Sequence, residues 1–201
     1  MRDRSEDLQA EKLSKELKAM SPDQIETKAK NDLENEDELE PAIALTQSPS
    51  AMSSVLAVEQ ALLSKISTCL GQSAKVMSNQ RLGNVEYDAI VRAKDGKRII
   101  VEIKYIRKGF NRGWFSETAS GLASRMALYT KTFDESCTGL LLVVIATSNS
   151  PLSNKLAQMA EELRSSNPSR LDKIRVHSIY QSDIANMPCL ELTKIVMGNI
   201  G

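Results

Sequence analysis

The chain has 201 residues, 41% of them hydrophobic, with 26 basic and 26 acidic side chains, which is typical of a globular protein with one domain and an extension. Its longest apolar run, Leu140 to Ala146, is far shorter than the roughly 20 residues that span a bilayer. Three well-separated cysteines, with no CxxC spacing, argue against structural zinc and favour a reducing compartment. We therefore expect a cytoplasmic protein with no membrane segment.

The charges are unevenly distributed along the chain. Residues 1–50 contain 7 Lys or Arg and 13 Asp or Glu, whereas residues 51–201 contain 19 and 13. A globular part with this excess of positive charge is compatible with binding a polyanion such as a nucleic acid.

Residues 1–49 are predicted to be an acidic arm and linker, helical or disordered, because their scattered apolar positions cannot bury much surface alone. Ser21 and Pro22 form a helix start signal, and a helix from there is expected to end near Glu40, before Pro41. Two interpretations remain open for residues 1–45, a solvated tail and a segment that binds a protein partner.

Residues 50–201 are predicted to form one folded domain. From Met52 the apolar residues fall on one helical face, with Glu59 in the middle of that face. The following predicted elements are strands 74–78, 85–92 and 98–106, helix 117–132, strand 140–146, helix 152–165, strand 174–180 and a closing helix from about Leu190. The uninterrupted apolar strand 140–146 suits burial on both faces, so we expect a three-layer α/β/α fold with a mixed central sheet.

The strand 98–106 carries two charged residues on an otherwise apolar face. Its alternation places Glu102 and Lys104 on the same side as Ile100 and Ile106. Charges in such a setting are costly to desolvate unless they pair or serve a purpose.

The register of the hairpin decides whether Asp88 joins them, because a one-residue slip reverses the face of every side chain. A two-residue loop would place Asp88 opposite Ile103, whereas a three-residue loop, Lys94 to Gly96, places it opposite Glu102. Gly96 stands where such a loop requires a left-handed residue, so the sequence favours the second register.

Asp88 within Val-Glu-Tyr-Asp-Ala-Ile-Val, followed by Glu102-Ile-Lys104 within Ile-Ile-Val-Glu-Ile-Lys-Tyr, resembles the site of PD-(D/E)xK, or restriction-endonuclease-like, nucleases. The similarity covers about residues 50–180 and includes the order of elements, α-β-β-β-α-β-α-β. The proline of the family name is absent, since Tyr87 precedes the Asp. The resemblance implies a restriction-endonuclease-like core and a deoxyribonuclease.

The resemblance also implies a role for each site residue. Asp88 and Glu102, with the backbone carbonyl of Ile103, would coordinate Mg²⁺, for which Mn²⁺ would substitute. Lys104 would orient the attacking water or stabilise the charge on the phosphorus. Glu59 matches the acidic residue that many members carry on the first helix.

Two segments are candidates for nucleic-acid binding. Members of the family with a RecB-like site carry Gln-x-x-x-Tyr on the following helix, where this chain has Arg125 and Tyr129. The segment 107–114 combines cations with aromatic residues and is a candidate loop for gripping phosphates and stacking on bases. Its predicted binding residues are Arg107, Lys108, Arg112 and Trp114.

Simpler interpretations accompany each of these assignments. Glu102 and Lys104 would also suit a surface ion pair, Glu59 a position at the rim of an apolar stripe, and Tyr129 and Trp114 positions in the core. The chain would then be a catalytically silent module that binds nucleic acid or a protein. Two further hypotheses are a homodimer that cuts both strands and an acidic arm that mimics DNA and blocks its own domain.

Overall fold

The computed structural model of the protein describes residues 16–37, 49–148, 150–166 and 172–198. Its strands are β1 (Leu17–Ala19), β2 (Ala74–Leu82), β3 (Val85–Ala93), β4 (Arg98–Ile106), β5 (Thr138–Ile145) and β6 (Ile174–Tyr180). Its α-helices are α1 (Pro22–Asp37), α2 (Pro49–Leu70), α3 (Arg112–Phe133), α4 (Leu152–Ser166), α5 (Gln181–Ile184) and α6 (Cys189–Met197). The predicted order of elements in the domain is confirmed.

The six strands form one mixed sheet in the order β1-β2-β3-β4-β5-β6. The pairs β1–β2, β2–β3 and β3–β4 are antiparallel. Strands β4, β5 and β6 run parallel to one another and are joined by the crossover helices α3 and α4. Because β5 lies between two parallel neighbours with helices on both faces, its residues 140–145 are fully buried. The predicted three-layer α/β/α architecture is confirmed.

Two hydrophobic cores cover the two faces of the sheet. One lies between the sheet and helices α3 and α4, and we call it the α3-side core. The other lies between the sheet and helices α2 and α6, and we call it the α2-side core. The alternation predicted for β4 is confirmed, since Ile100 and Ile106 belong to the α3-side core while Val101 and Ile103 belong to the other.

Strands β2 and β3 exchange faces partway along their length. On β3, Tyr87 belongs to the α3-side core and Ala89 to the α2-side core, although residues two apart in a regular strand share a face. The pairing is interrupted between Ser78 and Gln80 on β2, where Asn79 has a positive φ of 50°. The residue between Tyr87 and Ala89 is Asp88, so this irregularity sets the direction of a predicted site residue.

Part of the predicted arm is joined to the sheet. Strand β1 pairs antiparallel with the far end of β2, and the Met20 amide donates a hydrogen bond of 2.8 Å to the Asn79 carbonyl. Leu17 and Met20 are buried, and α1 packs against α2. The sequence predicted the helix but not this strand. Residues 1–15 and 38–48 of the predicted arm lie outside the described residues.

A disulfide joins Cys69, near the end of α2, to Cys189 at the start of α6, and Cys137 is a buried free thiol. Cys69 and Cys189 are 120 residues apart, so only the fold brings them together. This bond is at odds with the reducing compartment expected from the cysteine count. Among the described residues no helix has the length and apolarity that crossing a bilayer requires.

Candidate active site

The site lies where β3 and β4 separate. The two strands are paired from Ala89 with Val101 to the turn, where the Ala93 amide donates to the Lys97 carbonyl over 2.9 Å and Gly96 has a φ of 92°. The predicted three-residue loop is therefore confirmed. Beyond Ala89 the backbone pairing between β3 and β4 ends. There the Asp88 side chain takes the place of a backbone acceptor, because its Oδ2 accepts a hydrogen bond of 2.6 Å from the Ile103 amide.

The three predicted carboxylates are all buried. Asp88 and Glu102 are each only 1% exposed, and Glu59, which reaches the site from α2, is 7% exposed. Lys104 Nζ lies 3.2 Å from Glu102 Oε1, with 15% of its side chain exposed, so this ion pair is not on the surface. The interpretation of Glu102 and Lys104 as a solvated surface pair is wrong.

Lys28 is a site residue that the sequence did not reveal. It extends from α1 and places its Nζ 3.1 Å from Glu59 Oε1 and 2.5 Å from Asp88 Oδ1. Its side chain is 9% exposed. In the sequence it is one of several lysines in a polar helix with no apolar periodicity, so nothing distinguished it from the solvated lysines around it.

The two central carboxyls differ in acidity. Burial would raise the pKa of Asp88, but the charges of Lys28 and Lys104 and the hydrogen bond from the Ile103 amide hold that pKa below its ordinary value. Burial and the neighbouring charge of Asp88 raise the pKa of Glu102, and the cations nearby only partly offset them. Asp88 is thus the better stabilised anion of the pair.

The oxygen donors of Asp88 and Glu102 suit a hard divalent cation such as Mg²⁺. Glu102 Oε2 is buried without a hydrogen bond from any described residue, and Arg125 Nε lies 3.6 Å from it. The Ile103 amide points towards Asp88, and a strand residue directs its carbonyl to the same side as its amide. No group of three or more His, Cys, Asp or Glu side chains in the described ranges is arranged to hold a metal ion. Lys28 contacts both Glu59 and Asp88.

The two residues of the Arg-x-x-x-Tyr motif on α3 have different surroundings. Arg125 lies at the edge of the site, where its Nε also donates a hydrogen bond of 2.9 Å to the Glu86 carbonyl. Tyr129 is fully buried, and its hydroxyl donates to Glu135 Oε2 over 2.8 Å. The prediction that Tyr129 binds nucleic acid is wrong, because no part of its side chain is accessible.

The predicted binding loop is held in place at several points. Asn111 caps α3 by accepting a hydrogen bond from the Trp114 amide, and Lys155 donates to the Phe110 carbonyl over 2.7 Å. Trp114 is partly buried, contacts the Phe110 ring and packs against the α3-side core. Arg107 is partly buried, while Lys108 and Arg112 are exposed, and all three stay predicted phosphate ligands.

Comparisons with known proteins add little to this description. No protein-family model and no curated protein matches the chain. A solved structure that it matches is that of an EndoMS–dsDNA2 complex, with 15% identity and a TM-score of 0.36 over 69% of this chain. The match covers 47% of that protein, so this chain spans about half its length. Similarity at this level assigns neither a family nor a function.

Proposed function

We propose that this protein is a divalent-metal-dependent nuclease that hydrolyses phosphodiester bonds in DNA. The main support is the cluster of Asp88, Glu102 and Lys104 where β3 and β4 separate, with both carboxylates buried and Lys104 partly buried beside Glu102. Buried charges with perturbed acidity are costly for stability and concentrate at functional sites.

In this proposal each residue of the cluster has a distinct task. Asp88, Glu102 and the Ile103 carbonyl would hold Mg²⁺ or Mn²⁺, which supplies charge neutralisation at the phosphate and a water of lowered pKa. Lys104, whose side chain is 15% exposed beside Glu102, orients the attacking water or stabilises the charge that develops on the phosphorus. Arg125, 27% exposed beside Glu102, is placed to bind a phosphate of the substrate.

A cleavage assay tests the proposal directly. We expect the full chain to cut DNA with Mg²⁺ or Mn²⁺ and to stop when EDTA removes the cation. A panel of linear, single-stranded, branched and methylated DNA, with RNA beside it, identifies the substrate. Cleavage of RNA alone would contradict the choice of DNA, and no cleavage of any substrate with either cation would contradict a nuclease.

One observation favours a second function, a silent module that binds nucleic acid without cutting it. The cluster contains three carboxylates, Glu59, Asp88 and Glu102, and the structure places three cations against them, Lys28, Lys104 and Arg125. Each of these three carboxylates lies within 3.2 Å of a lysine ammonium, Glu59 and Asp88 beside Lys28 and Glu102 beside Lys104. Such a module would bind DNA equally well with EDTA and with Mg²⁺, and the same assay would show no product.

A further inference from the structure

Lys28 is fixed in the site by the way α1 is attached. Ser21 and Gln24 form reciprocal hydrogen bonds at the start of the helix, which is the arrangement of a capping box. Just before the helix, β1 pairs with β2 and the Met20 amide bonds to the Asn79 carbonyl. Asn79 lies where the pairing of β2 with β3 is interrupted, and this interruption sets the direction of the Asp88 side chain. The helix therefore begins at a defined point, and its second turn brings Lys28 to the carboxylates.

The ammonium of Lys28 competes for an oxygen donor that a divalent cation needs. It pairs with Asp88 Oδ1, and Asp88 is also a ligand of the proposed metal. A divalent cation bound to Asp88 would therefore lie next to the Lys28 ammonium, two like charges in a buried region. Repulsion between like charges is strong there, because little water is present to screen it.

We propose that Lys28 is a built-in competitor of the divalent cation. The lysine neutralises Glu59 and Asp88 while the metal is absent, and the site fills only when α1 withdraws the ammonium from Asp88. The helix thereby sets the cation concentration at which the site is loaded. This inference rests on the proposed metal-dependent function, because it presupposes a cation at Asp88 and Glu102.

Calorimetric titration of the full chain with Mn²⁺ tests the competition. We expect Lys28→Met to bind Mn²⁺ at least about tenfold more tightly than the wild type, because one repelling charge next to the cation is removed. Lys18→Met is the matched control. It makes the same change of charge on an exposed residue of β1, and it should leave the affinity unchanged. Lys28→Arg keeps the charge and should bind Mn²⁺ no more tightly than the wild type.

The possible results separate this inference from the proposed function. Equal or weaker Mn²⁺ binding by Lys28→Met, with measurable binding by the wild type, would overturn the inference and leave the nuclease proposal standing. If neither protein binds Mn²⁺, both proposals fail.

The wild type provides a second test that does not depend on the variant folding. Saturating Mg²⁺ should raise amide hydrogen exchange across α1 while exchange in β4 stays slow, because α1 loses its buried ion pairs when the ammonium leaves. Unchanged exchange in α1 at saturating Mg²⁺ would overturn the proposal.

Discussion

Asp88 and Lys104 lie in the same cluster, yet their substitutions should have opposite effects on metal binding. Asp88→Asn removes an anionic ligand of a cation that accepts oxygen donors, so both metal affinity and cleavage should fall. Lys104→Ala removes a positive charge, so Mg²⁺ binding should be retained or improved while cleavage drops by about 10²-fold or more. Calorimetric titration beside a cleavage time course measures both quantities.

The hairpin loop offers matched controls for these two substitutions. Asp95 and Lys97 form an ion pair in the loop, with about half of each side chain exposed (49% and 51%). Asp95→Asn and Lys97→Ala should therefore leave metal binding and cleavage near the wild-type values. A Lys104→Ala protein that cuts at the wild-type rate would mean that Lys104 is an ordinary strand residue, and the nuclease proposal would lose its main support.

Asn79 is the residue at which β2 departs from regular strand geometry. Its φ of 50° lies in the left-handed region, which costs most residues with a side chain roughly 1–2 kcal/mol and is better tolerated by Asn. We expect Asn79→Ala to lower the free energy of unfolding by about 1 kcal/mol and Asn79→Gly to lower it less. Denaturant unfolding measures this difference, and equal stability of the two variants would show that φ is not the cause.

At the scale of elements, Glu135 connects the end of α3 to strands β3 and β4. Its carboxylate pairs with Arg92 and Arg98, each at 2.9 Å, and accepts the Tyr129 hydroxyl. Burial would raise the pKa of Glu135, but the hydrogen bonds from Arg98 and Tyr129 and the charge of Arg92 outweigh it and hold the pKa below its ordinary value of 4.5.

The lowered pKa of Glu135 makes this part of the stability dependent on pH. The stabilisation is complete above the unfolded pKa and is lost as the pH falls through the lower folded pKa. Glu135→Gln should therefore cost about 2 kcal/mol at pH 7 and progressively less well below pH 4.5. Asp134→Asn, at the exposed neighbouring position, is the control. A cost that is the same at pH 7 and pH 3 would contradict this account.

The elements near the hairpin were predictable because their signals are local. β-Branched residues and flanking turn signals marked β3 and β4, and the need for a left-handed residue at Gly96 fixed the register that aligns Asp88 with Glu102. Helix α3 begins at Arg112 rather than near residue 117, because Asn111 caps it. Its first turn begins within the segment 107–114, for which the glycines and cations predict a loop.

The remaining features depend on contacts between distant parts of the chain. Strand β1 has three residues, too few to show a periodic pattern in the sequence. It is a strand because it pairs with β2. The position of Lys28 follows from that pairing. Tyr129 was misplaced because motif spacing gives the distance from Arg125 but not which of the two side chains faces the core.

At the scale of the molecule, the Cys69–Cys189 disulfide closes a loop with a sequence separation of 120 residues. Limiting the freedom of so long a loop in the unfolded chain stabilises the fold by about 5 kcal/mol in the chain-entropy model. We expect dithiothreitol to lower the free energy of unfolding by an amount of this order. In a protein with Cys69→Ser and Cys189→Ser together, dithiothreitol should have no such effect, and an equal effect there would point to another cause.

Deleting residues 1–45 tests how far the arm and the rest of the chain are independent. The sequence predicts that the remainder folds, because the apolar periodicity starts at Met52. The structure adds that the deletion removes β1 and the partner of Glu59 and Asp88, so we expect a cooperative transition at a lower temperature. Loss of cooperative melting would show that the arm is required for folding.

If the acidic arm also mimics DNA, the truncated protein should bind DNA more tightly, most visibly at low salt.

The pairing of β1 with β2 has a consequence for synthesis on the ribosome. The residues that β1 pairs with are made about 60 positions later, which at 5–20 residues per second leaves the strand without its partner for roughly 3–12 seconds. Asp88 follows Lys28 in the chain at a similar separation, so the ion pair between them forms after a similar delay. During this interval the nascent arm is an acidic, polar segment with few apolar residues, a composition that keeps an unpaired chain in solution. The charged character of the arm thus suits a segment that is made well before the strand with which it pairs.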